Sequence, residues 1–254
     1  MYVSGVVLAL FSLACPLSSA VCQEDVNPVS RVKITKEHLS PGMEIAEEVW
    51  ATDAQLTRKR MRMGFPLNAL LNQAIIYGAE QATVNYLAVP GEDWLQYCYT
   101  KLIGTDGLRS LVLRKGDIII QMAASTRDLE DTIVRVLKPD PLQGYKIRIN
   151  HLPKEWACAR EEFLPADEMR SLERRTEARI EQGLVQEFVV NRETVTMRYY
   201  HSETPAMAER VARQLAGKKT SLIERQVQLS GTVIVVSESQ NPDLIERAMR
   251  LVNW

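Results

Sequence analysis

Apolar positions along this chain recur in two periods, and the order in which the periods follow one another occurs twice. In "LNALLNQAIIYG" the residues Leu67, Leu70, Leu71, Ala74 and Ile75 fall at i, i+3, i+4, i+7 and i+8. With Pro66 at the start and Gly78 just beyond, this spacing predicts an amphipathic helix. "AEQATVNYLAV" then reads as a strand, and after a "PGED" turn the Tyr-rich alternation of "WLQYCYTKLI" predicts another. Two β-rich runs flank Lys115-Gly116-Asp117, a hairpin whose glycine supplies the positive φ of a tight turn. Ser125 is placed to cap the next helix, with Asp128 three positions on, and Leu129, Ile133, Val136 and Leu137 form its apolar face. The stretch from Lys138 through Pro139, Asp140 and Pro141 to Gly144 reads as a linker.

The second half follows a similar plan. An Arg- and Glu-rich helix is expected over 165–182, closed by Gly183, and strands over 185–190 and 194–200 flank Asn191-Arg192-Glu193. Thr204 and Pro205 open a helix with Ala208, Val211, Ala212 and Leu215 on one face and Gly217 at its end. A hairpin turns at Ser230-Gly231. Asn241 caps the last helix with Pro242 behind it, and Leu244, Ile245, Ala248, Leu251 and Val252 line its core side.

Three blocks recur in order. "HLSPGMEIAEEVW" from His38 is echoed by "HLPKEWACAREEF" from His151, and "SLVLRKGDIIIQ" from Ser110 by "SLIERQVQLSGTVIVV" from Ser221. "STRDLEDTIVRVL" is likewise echoed by "NPDLIERAMRLV". The repeating unit is therefore about half the chain. The expected fold is α+β: two tandem related modules, each an antiparallel sheet with helices packed on one face. The modules are placed at 31–143 and 144–254, after a flexible lead-in at 21–30, and the first copy reads as having a shortened middle helix around "GTDGLRS".

With 254 residues, 46% of them hydrophobic, there is material for one large core or two small ones. The 31 basic and 32 acidic side chains nearly cancel, which gives no basic surplus for nucleic acid or for an anionic lipid surface. The first twenty residues carry no charge, and their apolar run stops at Pro16, too short to span a bilayer. Ser18 and Ala20 put small residues where a signal peptidase reads, so residues 1–20 are expected to be a signal peptide cleaved between Ala20 and Val21. Lipidation at Cys15 or Cys22 is subordinate, since neither has Leu three positions before it. The mature protein is then expected to be periplasmic or extracellular, with no transmembrane span. Cys98 and Cys158 become a possible disulfide pair, the alternative being two small buried thiols.

Recognisable chemistry is sparse. No G-x-S-x-G elbow, G-x-G-x-x-G, H-E-x-x-H or C-x-x-C occurs. "GKKT" at Gly217 lacks the earlier glycine of a phosphate loop and reads as a helix C-terminus. His38, His151 and His201 have no second ligand at metal spacing and read as local capping or packing residues. The cluster Arg58-Lys59-Arg60-Met61-Arg62 follows Glu44, Glu47, Glu48 and Asp53, and reads as a solvated charge run. Glu161-Glu162 and Glu130-Asp131 lack the opposed placement of catalytic carboxylates, and Trp94, Tyr97 and Tyr99 read as one half-buried strand face.

The run "LNALLNQAIIYGAEQATVNYL", with Asn72, Tyr77 and Gly78 inside it, and the later "GDIIIQMAASTRDLEDTIVRVL" resemble a recurring block in a family of secreted bacterial proteins of unknown function. In that family a helix closes at Tyr-Gly into a strand and hairpin. The resemblance covers residues 65–137 and, more faintly, 163–252, and it implies a fold and an exported location only. No catalytic residue, cofactor or metal is expected. The functional expectation is a secreted non-enzymatic protein that binds another protein or a small ligand through a sheet face or the groove between copies. The alternatives are a hydrolase whose site assembles only in the fold, and a structural component of an envelope complex.

Overall fold

A computed structural model describes residues 27–107, 109–217 and 223–254. The expected signal peptide, its Ala20–Val21 cleavage point, Cys15 and Cys22 lie outside the described residues. Two five-stranded antiparallel sheets make up the fold. The first contains β1 (Met43–Trp50), β2 (Ala69–Tyr77), β3 (Glu80–Ala88), β4 (Leu111–Lys115) and β5 (Ile118–Ala124), in spatial order β1-β2-β3-β5-β4. The second contains β6 (Trp156–Phe163), β7 (Ile180–Val190), β8 (Glu193–Ser202), β9 (Glu224–Ser230) and β10 (Val233–Ser239), in the matching order β6-β7-β8-β10-β9.

The helices match too. In the first module α1 (Asp53–Met63), α2 (Glu92–Asp106) and α3 (Arg127–Leu137) occupy the places that α5 (Ala166–Thr176), α6 (Pro205–Ala216) and α7 (Pro242–Leu251) occupy in the second. A 3-10 turn at Pro28–Arg31 is matched by the short helix α4 (Pro141–Tyr145). Met43 and Trp156 open equivalent strands 113 positions apart, and the same separation relates the bulges at Ile45/Glu47 and Cys158/Arg160. Strand β9 is two residues longer than β4, so Gly116 and Gly231, both at φ +58, correspond across 115 positions. The module is thus an α+β unit used twice.

Helices cover both faces of each sheet rather than one. Along the first sheet Leu71, Ile75, Val84, Tyr86 and Ile120 point into the core beneath α3. Their neighbours Leu70, Leu87 and Ile119 point the other way, into the core holding Leu95, Cys98 and Leu102 of α2. The second sheet divides in the same way, between α7 on one side and α5 with α6 on the other. Continuous apolar runs such as "IIIQM" and "VIVV" follow from this, since a strand covered on both sides has no polar face.

Two-sided burial also explains where sequence periodicity misleads. Residues 69–77 form β2, not a helix: Leu70 and Leu71 are adjacent because they enter opposite cores, and the doubled apolar positions imitate helical spacing. Residues 92–106 form α2, not a strand. Leu95, Cys98, Tyr99 and Leu102 follow the helical period into the core while Trp94 and Tyr97 face solvent. The middle helix of the first copy is therefore present at full length.

Smaller differences have local causes. Thr126, not Ser125, caps α3 by accepting from the Leu129 N–H, while Ser125 Oγ accepts from the Gln81 N–H at 3.0 Å. Helix α5 stops at Thr176, where Glu177 adopts φ +52, because β7 begins at Ile180. Gly183 lies inside β7 with Leu164 packed where a side chain would stand. The segment expected as a linker is packed, with Leu142 of α4 fully buried in the second module's core. No helix among the described residues is long and apolar enough to cross a membrane.

Ile119→Ala and Ile120→Ala, adjacent but in opposite cores, should each destabilise the protein by about 2–5 kcal/mol in chemical denaturation. A sheet covered on one face would register only one of them.

Candidate interaction interface

The junction between the modules is built around two charges. Lys146 follows α4 and Glu161 lies on β6, and their side chains are 1% and 0% exposed. Lys146 Nζ donates to Glu161 Oε1 at 2.5 Å, to the Tyr99 hydroxyl at 2.7 Å and to the Val112 carbonyl at 2.7 Å, which uses all three of its protons. Tyr99 donates to Glu161 Oε1, and Gln186 Nε2 donates to Oε2 at 2.7 Å. The Gln186 amide also brackets the backbone of Ile147: its Nε2 donates to the carbonyl and its Oε1 accepts from the N–H. Tyr199 donates to that Oε1 at 2.8 Å.

Tyr99 and Val112 belong to the first module, and Lys146, Ile147, Glu161, Gln186 and Tyr199 to the second. Burial pulls the Lys146 ammonium below its ordinary value and pushes the Tyr99 and Tyr199 phenols well above theirs. Around this centre Phe163 packs on Tyr99 with ring centroids 5.1 Å apart, and the Arg114 guanidinium lies 4.9 Å from the Phe163 ring. A second contact joins α3 to the segment after Lys146. Glu130 accepts from Arg148 Nη1 at 2.9 Å and from Asn150 Nδ2 at 2.8 Å, and Arg148 also pairs with Asp131.

The first module contains the same quartet. Lys33, Glu48, Gln73 and Tyr86 stand 113 positions before Lys146, Glu161, Gln186 and Tyr199. Their bonds repeat, except that the Ile34 N–H donates to the tyrosine alone whereas that of Ile147 is shared between Tyr199 and Gln186. Lys33 Nζ meets Glu48 Oε1 at 2.5 Å, and Gln73 Nε2 donates to Glu48 Oε2 at 2.8 Å and to the Ile34 carbonyl at 2.9 Å. Tyr86 donates to Gln73 Oε1 at 2.8 Å and accepts from the Ile34 N–H.

The surroundings differ. Gln73 and Tyr86 are fully buried, but the Lys33 and Glu48 side chains are 23% and 28% exposed, and among the described residues no module covers them. Trp50, in the place of Phe163, is 36% exposed with Lys33 Nζ 5.8 Å from its ring, and Val49 beside it is 39% exposed. Burial acts to raise the Glu48 carboxyl, yet the hydrogen bonds from Lys33 and Gln73 win and hold it below its ordinary value. A shallow depression of about 450 Å³ runs between this pair and Thr35. The first module therefore presents, open, the face that the second module has covered.

Other residues singled out by sequence fall elsewhere. Cys98 and Cys158 are both free thiols, pushed up to about 12 by burial. The expected bridge is not formed: Cys98 points into the core beneath α2, while Cys158 packs against the core of the second module. His38 Nδ1 accepts from the Thr35 N–H across a short 3-10 turn, a local capping role. His201 faces Glu181 at 3.1 Å. His151 Nε2 is 3.5 Å from Glu130, beside a depression of about 230 Å³ that also reaches Ser125 and Thr126; burial lowers its pKa.

Arg60, in the basic run on α1, donates to the Leu67 carbonyl at 2.8 Å, fixing the turn after the helix. The expected aromatic stripe divides by helical geometry: Tyr99 enters the junction while Trp94 and Tyr97 stack edge-to-face in solvent. Among the described residues no cluster of His, Cys, Asp and Glu has the form of a metal site. The groove between copies is filled by the Lys146–Glu161 network.

Comparison with protein-family models, with curated proteins and with solved structures finds no match. The quartet had a signal in the chain itself. Lys-Ile followed five positions later by His-Leu occurs at Lys33 and at Lys146, and one constant separation then pairs Glu48 with Glu161, Gln73 with Gln186 and Tyr86 with Tyr199.

Lys146→Ala should cost about 3–5 kcal/mol, because it leaves Glu161 buried and unpaired. Lys33→Ala should cost about 1 kcal/mol or less, because its pair is partly hydrated. Denaturation midpoints of the two variants give the comparison; equal losses would mean that the two copies of the pair sit in equivalent surroundings.

Proposed function

We propose that the protein is a non-enzymatic binding protein whose recognition surface is the β1 face of the first module. One observation carries this reading: Lys33, Glu48 and Trp50 are arranged as Lys146, Glu161 and Phe163 are, but only the second set is covered. A half-exposed tryptophan beside a preformed ion pair combines an apolar anchor with polar groups that fix register, the composition typical of an interface centre. The depression there is shallow and open, a form suited to a protein surface rather than to an enclosed small molecule.

A hydrolytic reading would rest on His151 and Glu130. The Glu130 carboxylate is already engaged by Arg148 and Asn150, Thr126 Oγ1 caps α3, and Ser125 Oγ holds the Gln81 N–H. These groups are occupied in holding the fold, which favours the binding reading.

We place the working protein outside the cytoplasm, on the strength of the uncharged apolar start and Ser18-x-Ala20. N-terminal sequencing of exported protein should begin at Val21; recovery of Met1 in the cytosol would count against export.

The surface is tested in cells with a photo-crosslinking amino acid at Lys36, exposed on the rim of the depression beside Lys33 and Glu48, and, as a control, at exposed Arg170 on α5. An adduct should form from Lys36 and not from Arg170. No adduct at Lys36, or the same adducts from both positions, would remove the β1 face as the recognition surface.

A further inference from the structure

We propose that the occupant of the β1 face is a second copy of this chain, bound head to tail through its α6–β9 face. The inference rests on the reading of β1 as a recognition surface and adds the partner's identity. Its template is the internal junction, where β6 of the second module lies against α2 and beside β4 of the first. Each half of that junction has an uncovered counterpart elsewhere in the same chain. The β1 face matches β6. Helix α6 matches α2, and β9, the last strand of its sheet, matches β4. Leu229 on β9 is 40% exposed.

The side chains at the two uncovered faces differ from the internal junction in a compensating way. Internally, Phe163 packs between Tyr99 and Arg114. At the uncovered faces Trp50 replaces Phe163, while Ala212 and Leu229 stand in the places of Tyr99 and Arg114. The larger ring therefore meets two smaller, apolar neighbours in place of a phenol and a guanidinium, which lowers the polarity of the contact. A contact between two different faces of one chain is heterologous, so successive copies form an open chain or a closed ring.

Sedimentation velocity of the purified protein across a wide concentration range provides the test. The mean mass should rise past that of a dimer. Trp50→Arg, which spoils only the β1 face, and Leu229→Glu or Ala212→Arg, which spoil only the α6–β9 face, should each yield monomers. An equimolar mixture of Trp50→Arg with Leu229→Glu keeps one intact face on each partner and should give a one-to-one dimer that grows no further. Wild-type protein that stays monomeric, or variants that remain monomeric when mixed although the wild type assembles, would overturn head-to-tail association. The Lys36 cross-link separates this from failure of the parent reading. An adduct with a different protein preserves the β1 face and rejects self-association, whereas a mass of two chains supports both.

Discussion

An ammonium and a carboxylate withdrawn from water set the terms for the rest of this structure. Desolvating such a pair costs several kcal/mol per ion, and mutual attraction offsets the cost only when the remaining protons and lone pairs are also matched. Around Lys146 and Glu161 they are matched, by Tyr99 and Val112 from one module and Gln186 from the other. Neither module contains the whole set. The mutual placement of the sheets is therefore fixed by hydrogen-bond geometry, with directions and distances that apolar contact alone does not impose.

The same four residue types, joined by the same bonds, behave differently in the two modules because of what lies on top of them. Gln73 with Tyr86, and Gln186 with Tyr199, clamp the backbone before each edge strand, and this part is equally buried in both copies. The outer half of each quartet diverges. Under a cover it is a structural keystone; in the open it offers a charged pair and an aromatic ring with fixed positions. A repeat thus places one design in two surroundings, and the change is carried by neighbours such as Phe163 and Trp50 rather than by the quartet.

Much of the fold could be read from the chain where local chemistry has one meaning. Asn241-Pro242 and Thr204-Pro205 start helices as expected, and Asn191-Arg192, both at positive φ, turn a hairpin. Reading failed where burial on both faces removed the polar side of a strand. Leu70 and Leu71 then look like a helix stripe, and the aromatic residues of α2 look like strand alternation although Tyr99 alone of Trp94, Tyr97 and Tyr99 is buried. The candidate interface was only partly legible. His38 and His151 marked the repeat, but the residues that matter lie at Lys33, Glu48, Gln73 and Tyr86, and no property of an isolated lysine or glutamate says whether another module will cover it.

The division of bonding partners across the junction also gives synthesis a direction. The first module's strands and helices, ending at Leu137, all precede Lys146 and Glu161, so a growing chain completes Tyr99, Val112 and the α2 face before either buried charge is made. When β6 follows, a prepared hydroxyl and carbonyl are waiting for its ion pair. In the reverse order, a second module formed first would hold that pair with half its partners missing. The sequence of chain elongation and the electrostatic requirement of the junction run the same way, and translation itself serves as the scaffold for a contact that would be unfavourable to assemble backwards.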